Sequence, residues 1–428
     1  MKSFGLKQVD SAAELIQEIS SNQSVFVHGA AATPHVLLNA LVEDAPRLRN
    51  VELVHLHTEG EAPYADSKYK DAFRVTNLFV GPNMRSKLDY DRVDYLPVTL
   101  SEIPSLFRSG RRALDVALLH LSPPDSFGFC SLGTSVDVAL AAFQAADLIL
   151  AQINSQMPRV LGTGLVHIDD IDGYIEVSQD LPTAAVHKVT ETDLQIARHV
   201  AELVEDGACL QVGIGALPDA VLGQLTGHRH LGLHSEMWSD GALSLIKSGI
   251  IDNSRKELHG GSSVSSFING SRAVYDFIHN NPSVLQMSID YVNNPRFIGR
   301  NSKVTAINSA VEVDLTGQVC ADSVGHRLIS GVGGQLDFML GAALSQGGKP
   351  IIALSSRTKH GAPRLVPQLQ VGAGVVTPRA HVHFVVTEYG YADLHGKTLG
   401  ERAKALIKIA HPEDREALTA AWKQHNLN

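Results

Sequence analysis

The sequence predicts an α/β protein made of two similar open-sheet domains facing across a cleft. Three observations point there. Apolar runs of four to six residues alternate with helix-length amphipathic segments along the chain. Several motifs recur in the same order at an offset of roughly 180 to 200 residues. With 428 residues, 44% hydrophobic and 19% charged, the chain exceeds one ordinary core and suits two domains of roughly 200 residues each.

The strands come first. "SVFVHG", "VELVHLH", "RVTNLFV", "LDVALLHL" and "DLILAQIN" fill the first half, and "CLQVGIG", "HLGLH", "SVLQMSID", "PIIALSS" and "VHFVVTEYG" the second. Near-continuous apolar runs separated by helical segments indicate sheets covered on both faces. The repeat is read by laying "VFVHGAAATPHVLLNAL" on "LQVGIGALPDAVLGQL": Gly29 falls on Gly213, Ala32 on Ala216, Pro34 on Pro218, Leu38 on Leu222 and Leu41 on Leu225. Further on, "LHTEG" (56–60) matches "LHSEM" (233–237), and "SLGTSVDVALAA" matches "GVGGQLDFMLGAA", placing Asp137 on Asp337. Ordered matches with loop insertions indicate a duplicated domain. The expected boundaries are 1–190 and 191–428, with the seam in "LPTAAVHKVTETDLQIARHVAEL".

Composition narrows the function. Net charge is −9 and basic residues are dispersed, which argues against nucleic acid as a partner and suits small soluble substrates. Cys130, Cys209 and Cys320 are scattered and odd in number, so neither a disulfide framework nor a CxxC metal pair is expected, and a reducing, cytoplasmic setting fits. The opening "MKSFGLKQVDSAAELIQEI" reads as a lead-in to an amphipathic helix without the apolar centre of a signal peptide, and no apolar run reaches membrane-spanning length.

Glu236, in "HLGLHSEMWSDGALSLIKSG", stands where a short strand ends and a helix is about to begin. A carboxylate there is ordinarily a solvated loop residue or lies near a helix start, with Ser239 or Asp240 as the cap. Ligands of open α/β sheets, however, sit beyond the carboxyl ends of strands. "GVGGQLD" supplies a Gly-rich turn before a helix whose bare amides could hold an oxyanion, and "LQVGIG" adds another strand-end turn. A carboxylate with convergent backbone donors suggests acyl transfer.

"GIGALPDAV", "LHSEMWSDG", "INSAVEVDLTGQV", "GVGGQLDF" and "TEYGYADLHGKTLGERA", with "NSQMPR" in the first half, resemble the acetyl-CoA hydrolase/transferase family of class I CoA-transferases, in order and over essentially the whole chain. The resemblance implies a CoA-transferase-like duplicated fold with Glu236 as catalytic glutamate. It also implies Gly333 and Gly334, in the 331–334 loop, as oxyanion donors. Gln211, Gly213, Gly215 and Asn308 match positions near the reacting centre. Gln211 and Asn308 could each hydrogen-bond a substrate carbonyl or be satisfied sheet-end amides. Met157 reads as an apolar wall of the cleft, and Arg159 as a residue orienting a carboxylate or as a solvated surface cation. Because CoA carries an anionic nucleotide end, Arg357, Lys359 and Arg364 in "SSRTKHGAPRLVP" are the expected CoA contacts.

The implied reaction exchanges CoA between a short acyl-CoA, such as acetyl-CoA, and a short carboxylate, such as 4-hydroxybutyrate. It passes through an acyl-glutamyl anhydride and a glutamyl-CoA thioester. CoA enters as substrate, with no tightly bound cofactor expected, and enzymes of this kind commonly self-associate into homo-oligomers. Hydrolysis of acetyl-CoA to acetate and CoA is the alternative within the family.

Other patterns are set aside. "GYADLHGKT" encloses five residues between its glycines where a phosphate loop needs four. "GIGALPDA" has Pro218 in place of the third glycine of a dinucleotide fingerprint, which leaves a nicotinamide-dependent oxidoreductase as a weak alternative. The pairs His55/His57, His228/His230 and His381/His383 lack companion ligands in sequence, so no metal is expected. Glu59 is the internal rival, because the "LHTEG" match puts it in the place of Glu236.

Overall fold

The computed structural model describes residues 8–185 and 187–425. The first residues of the expected N-terminal lead-in lie outside the described residues; the helix itself is α1 (Ala12–Ile16). The chain forms two compact units. One comprises residues up to Ala184 together with Val264–Tyr291, and the other Ala185–Ser263 with the chain from Val292 onward.

In the first unit, β1 (Ser24–Val27), β2 (Val51–His55), β3 (Phe73–Asn77), β4 (Val93–Tyr95), β5 (Val116–Leu121), β6 (Leu148–Asn154) and β7 (Gly173–Val177) make one sheet in the order β7-β6-β5-β1-β2-β3-β4, parallel throughout. Side-chain alternation gives it two cores. Val25, Val27, Leu53 and Leu118 pack with Leu37, Leu38 and Leu41 of α2 (His35–Glu43). Phe26, Val54, Ala117 and Leu119 pack on the other face, with Ala139, Ala141 and Ala142 of α3 (Ala139–Ala145). Each fully buried Val, Leu or Phe contributes about 1.5–3 kcal/mol.

The second unit repeats the plan. α4 (Glu191–Leu203) opens with a capping box between Thr190 and Asp193. It is followed by β8 (Cys209–Val212), α5 (Ala216–Gln224), β9 (Gly232–Leu233), α6 (Asp240–Lys247), β10 (Val304–Ser309), α7 (Gln335–Leu344), β11 (Lys349–Ala353), β12 (Phe384–Thr387), β13 (Gly390–Asp393) and α8 (Leu399–Ile409). The sheet order is β9-β8-β10-β11-β12-β13, parallel except for β13. Met339 of α7 and Ala403 and Leu406 of α8 pack with Ile352 and Val385.

The common order β7-β6-β5-β1-β2 against β12-β11-β10-β8-β9 matches strand for strand, as a duplication requires. The register corrects one sequence match. Val25 pairs with Leu53 and Phe26 with Val54, while Cys209 pairs with Gly232 and Leu210 with Leu233. With Gly29 laid on Gly213, His55 therefore falls on His234. Counting on, His57 comes to the place of Glu236, and Glu59 lies two residues beyond.

Two further expectations change. A single cut at 190 does not describe the units, because the chain leaves the second after Ser263 and rejoins it at Val292. "SVLQMSID", expected as a main strand of the second domain, lies in that returning segment, where Val284–Gln286 runs parallel to Leu161–Gly162. Gly162 has φ +129°, and a Cβ there would stand 1.9 Å from the Gln286 carbonyl oxygen, so only glycine lets the two backbones approach. "GYADLHGKT" forms β13 and the start of α8: Lys397 Nζ donates to the Asp393 carbonyl and Thr398 caps the helix with Glu401. Among the described residues no helix is long and apolar enough to cross a membrane, and no group of three or more His, Cys, Asp or Glu could hold a metal ion.

Candidate active site

The second unit builds its site at the end of β9. The strand is short, and its continuation is fixed by bonds to its neighbours. His234 N donates to Leu210 O at 3.0 Å, and Ser235 Oγ both accepts from Val212 N and donates to Val212 O. Beneath it Lys256, 7% exposed, donates from Nζ to Leu233 O at 2.9 Å and Ser262 O at 2.7 Å. Burial pushes that ammonium down to about 8 and, with the Lys256 charge adding, His234 down to about 3. His234 is therefore neutral, and its Nε2 donates to Val292 O at 2.8 Å.

Glu236 follows, half-buried between this anchored strand end and the buried pair Met237–Trp238. Its Oε2 accepts from Asn293 Nδ2 at 2.9 Å. A Cβ on Gly334 would stand 2.0 Å from the same oxygen and 2.2 Å from Asn293 Nδ2, so only a glycine leaves the carboxylate its place. Gly334 is the residue before α7 and carries no capping side chain, while Gly333 ahead of it has φ +61°. A carboxylate at a helix N-terminus is favoured by the helix dipole and the open amides, which offsets part of its desolvation. The expected glutamate and the expected glycine turn are thus brought together.

Gln211 and Asn308, on the adjacent strands β8 and β10, bond to each other. Asn308 Nδ2 donates to Gln211 Oε1 at 2.9 Å, and Gln211 Nε2 to Asn308 Oδ1 at 3.4 Å. The exchange leaves each amide one N–H. Gly213 and Gly215 bracket the turn between β8 and α5. Nothing lies within 4 Å of an added Cβ at either, and Gly215 is required by its φ of +119°.

The remaining expectations are corrected or narrowed. Met157, 2% exposed, packs beneath Gly133, where a Cβ would lie 2.1 Å from its sulfur; it is an apolar wall, but inside the first unit. Arg159 orients a carboxylate of its own chain, Asp125 at 2.6 Å, and donates to Asn280 Oδ1 at 3.2 Å. Arg357 is spent on Asp414 and Glu413, both at 2.6 Å. Arg364 donates to the Val311 carbonyl at 2.8 Å, to the Ala310 carbonyl, and to Ser355 Oγ at 2.9 Å. Of the three basic residues expected to meet CoA, Lys359 alone is exposed without such partners. Asn293 is the residue that sequence reasoning missed. In "YVNNP" nothing separates it from Asn294, which caps the turn of helix at Pro295–Ile298.

Residues 4–187 match the acetyl-CoA hydrolase/transferase N-terminal domain, and residues 270–422 the C-terminal domain. The chain belongs to the acetyl-CoA hydrolase/transferase family. It is an enzyme of that family, and membership sets the nicotinamide reading aside. Among its relatives, a succinyl-CoA:acetate/propanoyl-CoA:succinate CoA transferase of Fasciola hepatica is 48% identical over 97% of this chain and 87% of its own length. A 4-hydroxybutyrate coenzyme A transferase of Clostridium kluyveri is 45% identical over 97% of each. The solved 4-hydroxybutyrate CoA-transferase of Porphyromonas gingivalis superposes with a TM-score of 0.83 at 37% identity, covering 98% of both chains. RipA from Yersinia pestis gives 0.93 at 32%, over 99% of this chain and 98% of its own.

Proposed function

We propose that this enzyme is a CoA-transferase that works by exchange through Glu236. The observation that carries the reading is the Glu236 carboxylate held against Gly334 at the uncapped start of α7. Glu236 attacks the acyl-CoA carbonyl and expels the CoA thiolate, forming an acyl-glutamyl anhydride. The 333–334 turn is the donor for the oxyanion formed on the substrate's acyl group. The thiolate then attacks the glutamyl carbonyl, which releases the first acid and leaves a glutamyl-CoA thioester, and the acceptor acid reverses these steps. A carboxylate suits exchange between acids because the anhydride keeps the acyl group activated. No tightly bound cofactor is needed. The donor we infer is a short acyl-CoA, acetyl-CoA or similar, and the acceptor a short carboxylate such as 4-hydroxybutyrate. Cys130, Cys209 and Cys320, all buried and unpaired, suit a reducing compartment such as the cytoplasm.

Intact mass after acyl-CoA treatment tests the proposal. The wild type should gain a covalent CoA adduct and Glu236→Gln should not; an unmodified wild type would sink it. Omitting the acceptor acid separates transfer from hydrolysis, since a transferase stops after releasing one equivalent of the donor acid, with CoA held on Glu236, whereas a hydrolase keeps releasing CoA at full rate.

A further inference from the structure

The second sheet has a cation-rich corner away from the reacting carboxylate. Glu236 follows the outgoing end of β9, whereas His383 precedes β12, at the opposite end of the parallel set. At about 4.8 Å per strand, the four steps from β9 to β12 separate them by ~19 Å across the sheet alone. Here the "GYADLHGKT" turn meets the short helix Arg379–His381 and the first turn of α8. The turn spends its amides internally: Leu394 N donates to His383 O, Lys397 N to Leu394 O at 3.3 Å, and His395 N to Asp393 Oδ1 at 3.0 Å. What it presents to a ligand is therefore side chains.

The His383 and His395 rings lie 4.1 Å apart between centroids, tilted by 47°. Beside them Arg402 donates from Nε to Lys397 O at 3.2 Å, and from Nη1 to Arg379 O at 2.7 Å and Thr316 O at 3.3 Å. These acceptors are neutral carbonyls, and among the described residues neither Arg402 nor Arg379 meets a carboxylate. Burial and the adjacent Arg379 both disfavour the Arg402 cation. Burial also brings the His383 imidazole down to about 4, with His395, Arg402 and His381 adding to the effect and Asp393 opposing it. Asp393 is already engaged, through the His395 amide and with Lys397 at 3.9 Å. Partly desolvated cations gathered without a counter-charge cost stability unless an anion joins them.

We propose that the side chains of Arg379, Arg402, His383 and His395 form a second ligand site, separate from the reacting centre, that takes a phosphate group, either free phosphate or the end of a phosphate monoester. A phosphate carries about −1.5 to −2 near pH 7, more than a carboxylate, and its oxygens match the guanidinium fork. It also favours the protonated imidazoles, which then donate to it.

Calorimetric titration of the full chain with inorganic phosphate and with glycerol 3-phosphate, at ionic strength held constant with potassium chloride, tests the site. Binding should saturate, and the tighter of the two ligands identifies the source. Arg379→Gln removes a cation without a partner in the fold and should weaken binding about tenfold or more. His395→Ala, at an exposed position, should weaken it as well. Arg74→Gln, which removes an exposed cation on β3 of the first unit, should bind as the wild type does. In sulfate, which stays doubly charged throughout, the His383 ring followed by carbon-13 NMR should titrate at a higher pH than in chloride. Heats that do not saturate, equal weakening by Arg379→Gln and Arg74→Gln, or an unmoved His383 midpoint would each overturn the assignment.

Discussion

The two units finish corresponding places in opposite ways. In the first, Asp137 stands two residues ahead of α3, and its Oδ1 accepts from the backbone amides of Val138 and of Ala139, the latter at 3.0 Å. The surrounding polar groups answer one another: His28 Nε2 donates to Ser135 O at 2.6 Å, His28 Nδ1 accepts from the His120 amide, and His120 Nε2 accepts from Asn154 at 3.0 Å. In the second unit α7 begins two residues before the matched Asp337, so that aspartate lies within the helix and the start is left to Gly334. Glu236 takes the place at that start which, in the first unit, a side chain beside the helix already fills. Both copies own a carboxylate near the strand end. What separates them is that the second withholds the competing cap.

If that difference selects the reactive copy, Glu236→Gln should lower kcat by roughly 10⁴-fold or more, while Glu59→Gln leaves turnover of the same order as wild type. Glu59 accepts from Asn269 at 3.3 Å and its amide donates to Thr33 Oγ1 at 3.0 Å, which are structural ties that glutamine retains in part. Steady-state rates on both variants decide, and an exchange of the two results would break the comparison. The next effect comes from the uncapped start itself. Gly334→Ala forces a carbon to 2.0 Å from Oε2, so either the carboxylate or the helix start must shift, and kcat should drop by about 10²–10³-fold. Gly223→Ala, inside α5 with nothing within 4 Å of the added carbon, is the control that should keep full activity and gain slightly in stability.

Sequence carried the strands with strong apolar runs and the repeat, because these depend on local pattern, and it put Glu236 just beyond a short strand, where the structure also has it. It missed β10: "VTAINS" carries polar residues at alternate positions, yet it occupies the middle of the second sheet, where Thr305 is buried all the same. It also slipped the Glu59 match by two residues. "LHTEG" and "LHSEM" look alike as strings, but alignment of strands is set by ladder register, and a two-residue slip keeps every side chain on the same face and so leaves no trace in the pattern. The cations of "SSRTKHGAPRLVP" misled for a related reason, because a sequence shows charge and not the carboxylates that distant residues such as Asp414 bring to it. Asn293 was invisible because its partner is 57 residues away.

The smallest expected effect concerns stability. In the first unit burial brings His55 and His120 down to about 3, and His28 and His57 are lowered for the same reason, with Asp137 pushing both back. The second unit has His234 at about 3 as its wholly buried counterpart. The folded state holds these imidazoles neutral, whereas the unfolded chain binds their protons below about pH 6.5. Their stabilisation is therefore complete above pH 6.5 and is lost as pH falls from there towards 3, at up to about 1.4 kcal/mol per pH unit for each group. Near pH 4.5 the first unit should have lost about 2–3 kcal/mol for each of His55 and His120, against one such loss at His234 and a smaller, solvent-screened one at the half-buried His383, brought down to about 4, in the second. Hydrogen exchange corrected for intrinsic rates should then show protection failing first in β1, β2 and β5. Failure beginning in β8, β9 and β10 would mean that the first unit's histidine network is less costly to protonate than its burial implies, and that its closure is not what distinguishes the two copies.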